Sequence, residues 1–313
     1  MAMTHPSGSG YAIRPMRAAD LQVVTEWARR EGFCPGPDDV AILSRADRSG
    51  GWVGCLGDEP IGCIVAVRWD SRYGFLGLFL VRPEHRGRGY GVELWRHALD
   101  HLSAVDCIGL EAAPDRVGDY AGWGFRPAWD TLRWTLPVMA APTRPRLRCA
   151  AGELPAGYRL LPGRAVPEPV VQAYDARHEA TPRPHFLREW LRAGARDGLP
   201  GGSTVLVVLD ERGDCRGFAR IRPCLLPDAM KPAWRLGPWL ADGPDLAGAL
   251  LDGLCSEREG PVFVDAPEAN PEAHRLLGVR GFLPTGRTIR MYRGEPPAVP
   301  LQDTYGLACL ELG

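Results

Sequence analysis

Two stretches of this chain carry the same succession of elements in the same order, and that repetition constrains the fold more than any other feature. Residues 107–137 pass from a short apolar strand, "CIGLEAA", through a small helix ending in Gly-Phe, "DYAGWGF", to another strand. Residues 261–294 repeat the order with "PVFVDAP", "NPEAHRLLGVRGF" and "TIRMYRG", and Leu110-Glu111-Ala112 finds its echo in Val264-Asp265-Ala266. An internal duplication accounts for this economically, so whatever the first half folds into, the second half should repeat. With 313 residues there is length for two domains, each with a buried core. The stretch "MAAPTRPRLRCAAGELPAG", rich in proline and small residues, reads as the linker over 139–157. The units then span 11–138 and 158–313, after a loose leader over 1–10 that lacks a signal-peptide pattern.

Within the first unit, "GWVGCLG", "IGCIVAVRW" and "FLGLFLV" are apolar runs separated by turn residues, which predicts a three-stranded antiparallel meander. Val92, Trp95, Ala98, Leu99 and Leu102 recur at helical spacing, predicting a helix over 90–102. The strand 107–113 then lies parallel to "FLGLFLV" through a right-handed crossover. Upstream, Leu21, Val24, Trp27 and Ala28 share one face of a helix over 18–32. In the second unit, residues 203–223 read as strand, tight turn and strand, 233–242 as a third strand, and 245–257 as a helix. The fold class is α/β in the α+β sense: in each unit a mixed, largely antiparallel twisted sheet flanked by helices.

Composition excludes several functions. A net charge of −1 gives no general attraction to nucleic acid or an anionic membrane, and no apolar run reaches spanning length. The nine cysteines are scattered without a CxxC pair, which argues against a disulfide framework or a zinc site and for reduced thiols in the cytoplasm. No metal is expected.

The chemistry concentrates at the strand-to-helix corner "FLVRPEHRGRGYGVELW", residues 79–95. A helix N-terminus presents unpaired N–H groups, and glycines let the backbone approach a ligand closely. Arg86 and Arg88 add cationic donors, so the corner reads as a pyrophosphate cradle. A P-loop would need a Gly-Lys pair, and the chain's one lysine is Lys231. A dinucleotide fingerprint would need an early strand-helix-strand unit.

The run "RGRGYG", residues 86–91, resembles the phosphate loop of the GNAT superfamily of N-acyltransferases, and "VRPEHRGRGYG" resembles that loop with its preceding strand. "DYAGWGF", with Tyr120 five residues before Phe125, is similar to the superfamily's second signature. The resemblance implies that Arg86, Gly87, Arg88, Gly89, Tyr90 and Gly91 hold the pyrophosphate of acetyl-CoA. It also implies that pantetheine meets backbone around Phe79, Leu80 and Val81 in an opening between two strands, and that Tyr120 protonates the departing thiolate. Such a tyrosine makes chemical sense as a general acid.

The attacking amine needs a base. Candidates are Glu111, Glu31, Asp38 and Asp39. Glu111 sits on the strand beside the opening, although alternation leaves open which face of the sheet it takes. Glu31 lies on the loop "EGFCPG", which in this superfamily lines the acceptor side. Cys34 in that loop has no histidine nearby in sequence to activate it. The second unit carries "LADGPDLAG" where the first has the glycine loop, and Asp242 and Asp245 would repel a pyrophosphate. The whole resembles a two-domain GNAT subfamily with a degenerate second domain, although members usually have Trp-Asn at Phe33-Cys34. The implied activity is acetyl transfer to a small-molecule amine by a monomer or homodimer. A protein N-acetyltransferase and a non-catalytic acyl-CoA sensor are the alternatives.

Overall fold

The computed structural model describes residues 10–137, 154–194, 202–227, 232–256 and 258–312. Nearly all of the leader and of the linker read from the sequence lie outside these residues. The first half runs β1 Tyr11–Pro15, α1 Leu21–Arg30, α2 Asp39–Ala46, β2 Gly51–Leu56, β3 Glu59–Arg68, β4 Tyr73–Val81, α3 Tyr90–His101, β5 Cys107–Ala112, α4 Val117–Ala121 and β6 Arg126–Leu136. The second half follows with β7 Arg159–Pro162, α5 Glu168–His178, α6 Pro184–Arg192, β8 Thr204–Leu209, β9 Cys215–Cys224, β10 Ala233–Ala241, α7 Pro244–Cys255, β11 Val262–Pro267, α8 Pro271–Val279, β12 Leu283–Arg293 and β13 Thr304–Gly306. The meander, the helix after it and the parallel strand 107–112 form as the apolar pattern requires.

Both halves share one sheet, in the order β1-β2-β3-β4-β5-β12-β6-β11-β10-β9-β8-β7. The last long strands are exchanged. β12, from the second half, lies between β5 and β6, while β6, from the first, lies between β12 and β11. The sequence boundary at 138 therefore does not coincide with a spatial one, because β6 completes the second half's sheet. Hydrophobic alternation sets which face of a strand is buried but not which chain segment it pairs with, so the exchange is invisible to pattern reading.

The exchange carries two equivalent ion pairs, one buried on both sides and one with its arginine partly exposed. Arg290 of β12 stands opposite Glu111 of β5 and donates to it at 2.7 Å; the two side chains are 5% and 2% exposed. Arg133 of β6 stands opposite Asp265 of β11 and donates to it at 2.7 Å. Each acid of the duplicated Leu-Glu-Ala and Val-Asp-Ala triplets thus meets an arginine from the other half.

Helices cover both faces. α3 packs Leu94, Trp95, Ala98 and Leu99 against Ile64, Leu76, Ile108 and Leu110 on one side of the first half's sheet. On the other side, α1 and α2 pack with Val53, Val65 and Leu80 of the sheet and with Phe186 and Trp190 of α6. Trp190 is fully buried, with Arg222 stacked over it at 4.4 Å, and Arg222 donates to Asp39 of α2 at 2.9 Å. α7 closes the second half's core through Leu246, Leu250, Leu251 and Leu254. Burying one such leucine contributes about 2 kcal/mol, so this apolar seam and the exchanged strands hold the halves together.

If the paired charges matter as partners, Arg290→Leu should cost about 3 to 5 kcal/mol in urea unfolding, because Glu111 is left buried without its cation. The double variant Glu111→Leu/Arg290→Leu should recover at least half of that loss. A single variant no less stable than the double one would show that the pair does not hold the exchange.

Candidate active site

β4 and β5 run together only briefly. Tyr73 to Leu76 pair with Cys107 to Leu110, and no register continues beyond Leu76. β4 turns away at Leu78, whose φ is +49°, and its pairing with β3 shifts between Cys63 and Val65. A bulge at this position swings Phe79, Leu80 and Val81 off their neighbour and leaves one edge of β4 open. Phe79 rests on Trp95 of α3, their rings 5.5 Å apart.

The corner after β4 completes the opening. Gly87 and Gly89 have φ of +75° and +89°, and a side chain on either would point into open space, so the backbone is exposed to whatever approaches. Gly89 caps α3, and the amides of Gly87, Arg88, Gly89, Tyr90 and Gly91 donate to no carbonyl among the described residues. Free donors gathered at a helix start are the chemical requirement of an anion site. Arg88 is exposed beside them, whereas Arg86 donates to the Val81 carbonyl at 2.7 Å and to Glu31. Tyr90 is buried against Tyr11, so its ring serves packing while its amide faces the corner.

Tyr120 of α4 packs against Trp95 at 5.1 Å and Phe125 at 6.5 Å, on the α3 side of the opening. Burial pushes its phenol up to about 12, with Arg116 working the other way. It therefore stays protonated at neutral pH, as a proton donor must.

The carboxylates read from the sequence are differently placed. Glu111 does not face a free cleft: besides Arg290 it accepts from Thr131 at 3.1 Å and Thr288 at 2.6 Å, which occupies it as a structural ion. Asp39 is likewise enclosed by Arg222 and the Gly36 amide. Glu31 is half exposed and tied to Arg86, bridging the α1–α2 loop to the glycine corner. Asp38 is exposed at the start of α2. Neither Arg290 nor Arg133 stood out in the sequence, although the echo of Glu111 in Asp265 hinted that both acids serve the architecture.

The second half, through Asp265 and Arg235, joins Arg133 of β6 in shaping the first half's site. Arg133 and Arg235 clasp Asp265 and donate to the carbonyls of Gly32 at 3.3 Å and Phe33 at 2.9 Å, fixing the α1–α2 loop. Burial alone would raise the Asp265 carboxyl, but the two guanidiniums hold it well below the usual range. A small cavity of about 40 Å³ lies on the α1–α2 side of β5, β12 and β6, walled by Tyr73, Trp129, Arg290 and Tyr292. It is covered by the α5–α6 connection, including Glu179 and Arg183, and by Leu307 and Leu312. Burial raises the Glu179 carboxyl to about 7 against the pull of Arg183. Arg290 Nη2 and Trp129 Nε1 are buried here without a hydrogen-bond partner.

The equivalent opening of the second half is closed. β10 pairs with β11 only from Trp234 to Leu236, and beyond that β13 lies along β10, with Gly306 opposite Trp239 and Thr304 opposite Leu240. The Leu307 amide then donates to Asp265 O at 2.8 Å, so the chain's own backbone fills the gap between the strands. Asp242 and Gly243 alone separate β10 from α7, and Asp242 accepts from the Tyr174 hydroxyl at 2.6 Å. There is neither a glycine loop nor a free edge.

Comparison with known proteins agrees with this arrangement. A profile of the acetyltransferase (GNAT) family matches residues 21–123, and that of an acetyltransferase (GNAT) domain matches residues 171–306. A holothin acyltransferase of Pseudoalteromonas sp. (strain SANK 73390) is 26% identical over 97% of this chain and 95% of its own length. A putative acetyltransferase from Pyrococcus horikoshii superposes with a TM-score of 0.76 at 21% identity, covering 97% of this chain and 96% of its own. A tandem GNAT protein from the clavulanic acid biosynthesis pathway superposes with a TM-score of 0.62 at 16% identity, covering 92% and 99%. The chain belongs to the GNAT superfamily as a tandem of two GNAT domains, and it is an acyltransferase.

The burial of Tyr120 makes a prediction of its own. An ordinary tyrosine ionises near 10, so the unfolded chain releases this proton first and the fold loses stability from about pH 10 until the folded phenol itself ionises near 12. Tyr120→Phe removes that loss. Between pH 8 and pH 11 the variant's melting temperature should fall less than the wild type's, whereas parallel falls would mean that the phenol is not held neutral.

Proposed function

We propose that this chain transfers an acetyl group from acetyl-CoA to the amine of a small molecule, using the opening of the first half alone. The observation that carries the reading is the coincidence of the free β4 edge, five unpartnered amides and the exposed Arg88 at one corner. These fit a pyrophosphate followed by an extended chain with peptide-like groups. Acetyl-CoA supplies the activated acyl carbon. Arg86, Arg88 and the 87–91 backbone hold its phosphates, the edge at Phe79, Leu80 and Val81 aligns the pantetheine arm, and Tyr120 holds the proton due to the sulfur. The names of the relatives, a holothin acyltransferase and a protein of clavulanic acid biosynthesis, support an acceptor of small-molecule kind.

Enclosure also favours a small acceptor over a peptide. The cavity beside β5, β12 and β6 is covered by the α5–α6 connection and the segment after β13. Its aromatic walls suit a flat group. The two unsatisfied donors suit a carbonyl oxygen, since Arg290 already has its counter-charge in Glu111. A cavity of this size holds only a few water molecules, so the roof must part to admit an acceptor. A cytoplasmic setting suits the eight free, buried cysteines among the described residues.

Calorimetric titration should give one acetyl-CoA per chain, and Arg86→Glu should weaken binding by at least about 2 kcal/mol as a charge-assisted contact becomes a repulsion. Two equivalents per chain, or unchanged affinity in the variant, would overturn the site assignment. Tyr120→Phe should slow CoA release with an amine acceptor roughly 10- to 1000-fold while leaving acetyl-CoA affinity within about twofold. Wild-type turnover would make Tyr120 a packing residue.

A further inference from the structure

The strand wall of the cavity carries two buried donors without an acceptor among the described residues. Arg290, 4% exposed, gives Nε to Glu111 at 2.7 Å and Nη1 to the Tyr292 hydroxyl at 3.5 Å, and its Nη2 is left over. Trp129 stands opposite Arg290 across β6 and β12, with the guanidinium carbon 5.4 Å from the centre of its ring, and the indole Nε1 is also unpartnered. Both free N–H groups thus belong to one cross-strand pair. Register sets that pair level with Glu111, the residue after Leu110, where β5 last pairs with β4. Donors buried without an acceptor are costly and rare, and two of them side by side fit an oxygen that the chain itself does not supply.

The α5–α6 connection supplies the complement. Glu179, just past the end of α5, lines the same cavity. Arg183 gives Nε and Nη2 to the two oxygens of Asp175, each at 3.0 Å, and Glu179 receives a share of Nη2 through one oxygen. Its other oxygen accepts from no donor among the described residues, and the side chain is 23% exposed, so that oxygen is not sealed in protein. Asp175 balances Arg183 as Glu111 balances Arg290, which leaves Glu179 without a cation of its own. A donor pair on the strands therefore shares a small cavity with a carboxylate on the connection that covers it. Trp69, Tyr73 and Tyr292 add flat apolar walls.

The cavity holds only a few water molecules, so a molecule that meets both walls carries its donor and its acceptor close together. We propose that the acceptor is a compact, flat amine with an amide-type carbonyl beside the nitrogen, its oxygen held by Arg290 Nη2 and Trp129 Nε1 and its N–H by Glu179, an assignment that rests on the transferase reading. These three residues set which amine is taken. An amine without the carbonyl leaves both buried donors unsatisfied, and a site built to hydrogen-bond a polar group rejects the analogue that lacks it far more strongly than an apolar pocket rejects a misfit. An amide without the amine leaves the open Glu179 oxygen unmet.

Three probes, all uncharged at neutral pH, separate the two contacts in the full chain. Anthranilamide carries the amine and the neighbouring carbonyl, aniline the amine alone and benzamide the carbonyl alone. In calorimetric titration the wild type should bind anthranilamide at least about tenfold more tightly than either of the others. Trp129→Phe keeps a ring and removes one donor, so binding of anthranilamide and benzamide should weaken about fivefold or more and that of aniline by less than about twofold. Glu179→Met keeps the length of the side chain and removes the acceptor, so anthranilamide and aniline should weaken about fivefold or more while benzamide is spared. Equal losses for all three probes would reduce both residues to packing and overturn the proposal, as would a wild type that binds the three alike or not at all. Failure of the transferase reading would look different: acetyl-CoA would neither bind nor acetylate anthranilamide, while the crossed pattern of binding would persist. Were the pattern absent and acetyl-CoA consumed with an amine lacking the carbonyl, the transferase reading would stand and this assignment of the acceptor would fall.

Discussion

The structure depends on an exchange of strands secured by two carboxylate–arginine pairs whose acids are both buried. Glu111 with Arg290, and Asp265 with Arg133, lie at equivalent places in the two halves and join strands that belong to opposite ends of the chain. A buried ion pair is a modest source of net stability against a well-packed apolar alternative, but it penalises mispairing strongly, because a register slip leaves a charge buried alone. The pairs therefore specify which strand enters which half. They also explain why an acid stands beside a gap that β13 fills, since Asp265 serves the architecture and fixes the α1–α2 loop through Arg133 and Arg235.

From that exchange follows the asymmetry of the two halves. Both sheets part at the same place, after Leu76 in one and Leu236 in the other, as the common ancestry of the halves requires. In the first, the gap is followed by a long glycine turn and remains open on the α3 side. In the second, β13 lies in the gap, and the turn is reduced to Asp242 and Gly243. In place of the glycine loop the second half has the acidic "LADGPDLAG", and the chain's own backbone occupies the gap between its strands. The second half persists as a structural partner that contributes β12, the loop clasp and the roof of the cavity.

Legibility followed the range of the interaction involved. The strand meander, the crossover helix and the glycine corner are products of local pattern and backbone chemistry, and each formed within a few residues of its expected span. The base was another matter. Glu111 looked available because its neighbours in sequence, Leu110 and Ala112, are apolar, but Arg290, Thr131 and Thr288 reach it from 20 to 179 residues away.

The amino-acid sequence by itself determined that the chain is a duplicated α+β protein with one glycine-rich strand-to-helix corner, because helix starts, glycine turns and apolar periodicity are short-range and additive. Only the tertiary structure decided which strands pair across the duplication, which carboxylates are spent in ion pairs, and that the second gap is filled from within. Those outcomes depend on desolvation and on the meeting of groups 132 to 183 residues apart, where a charge is satisfied or left alone according to what the rest of the fold brings to it.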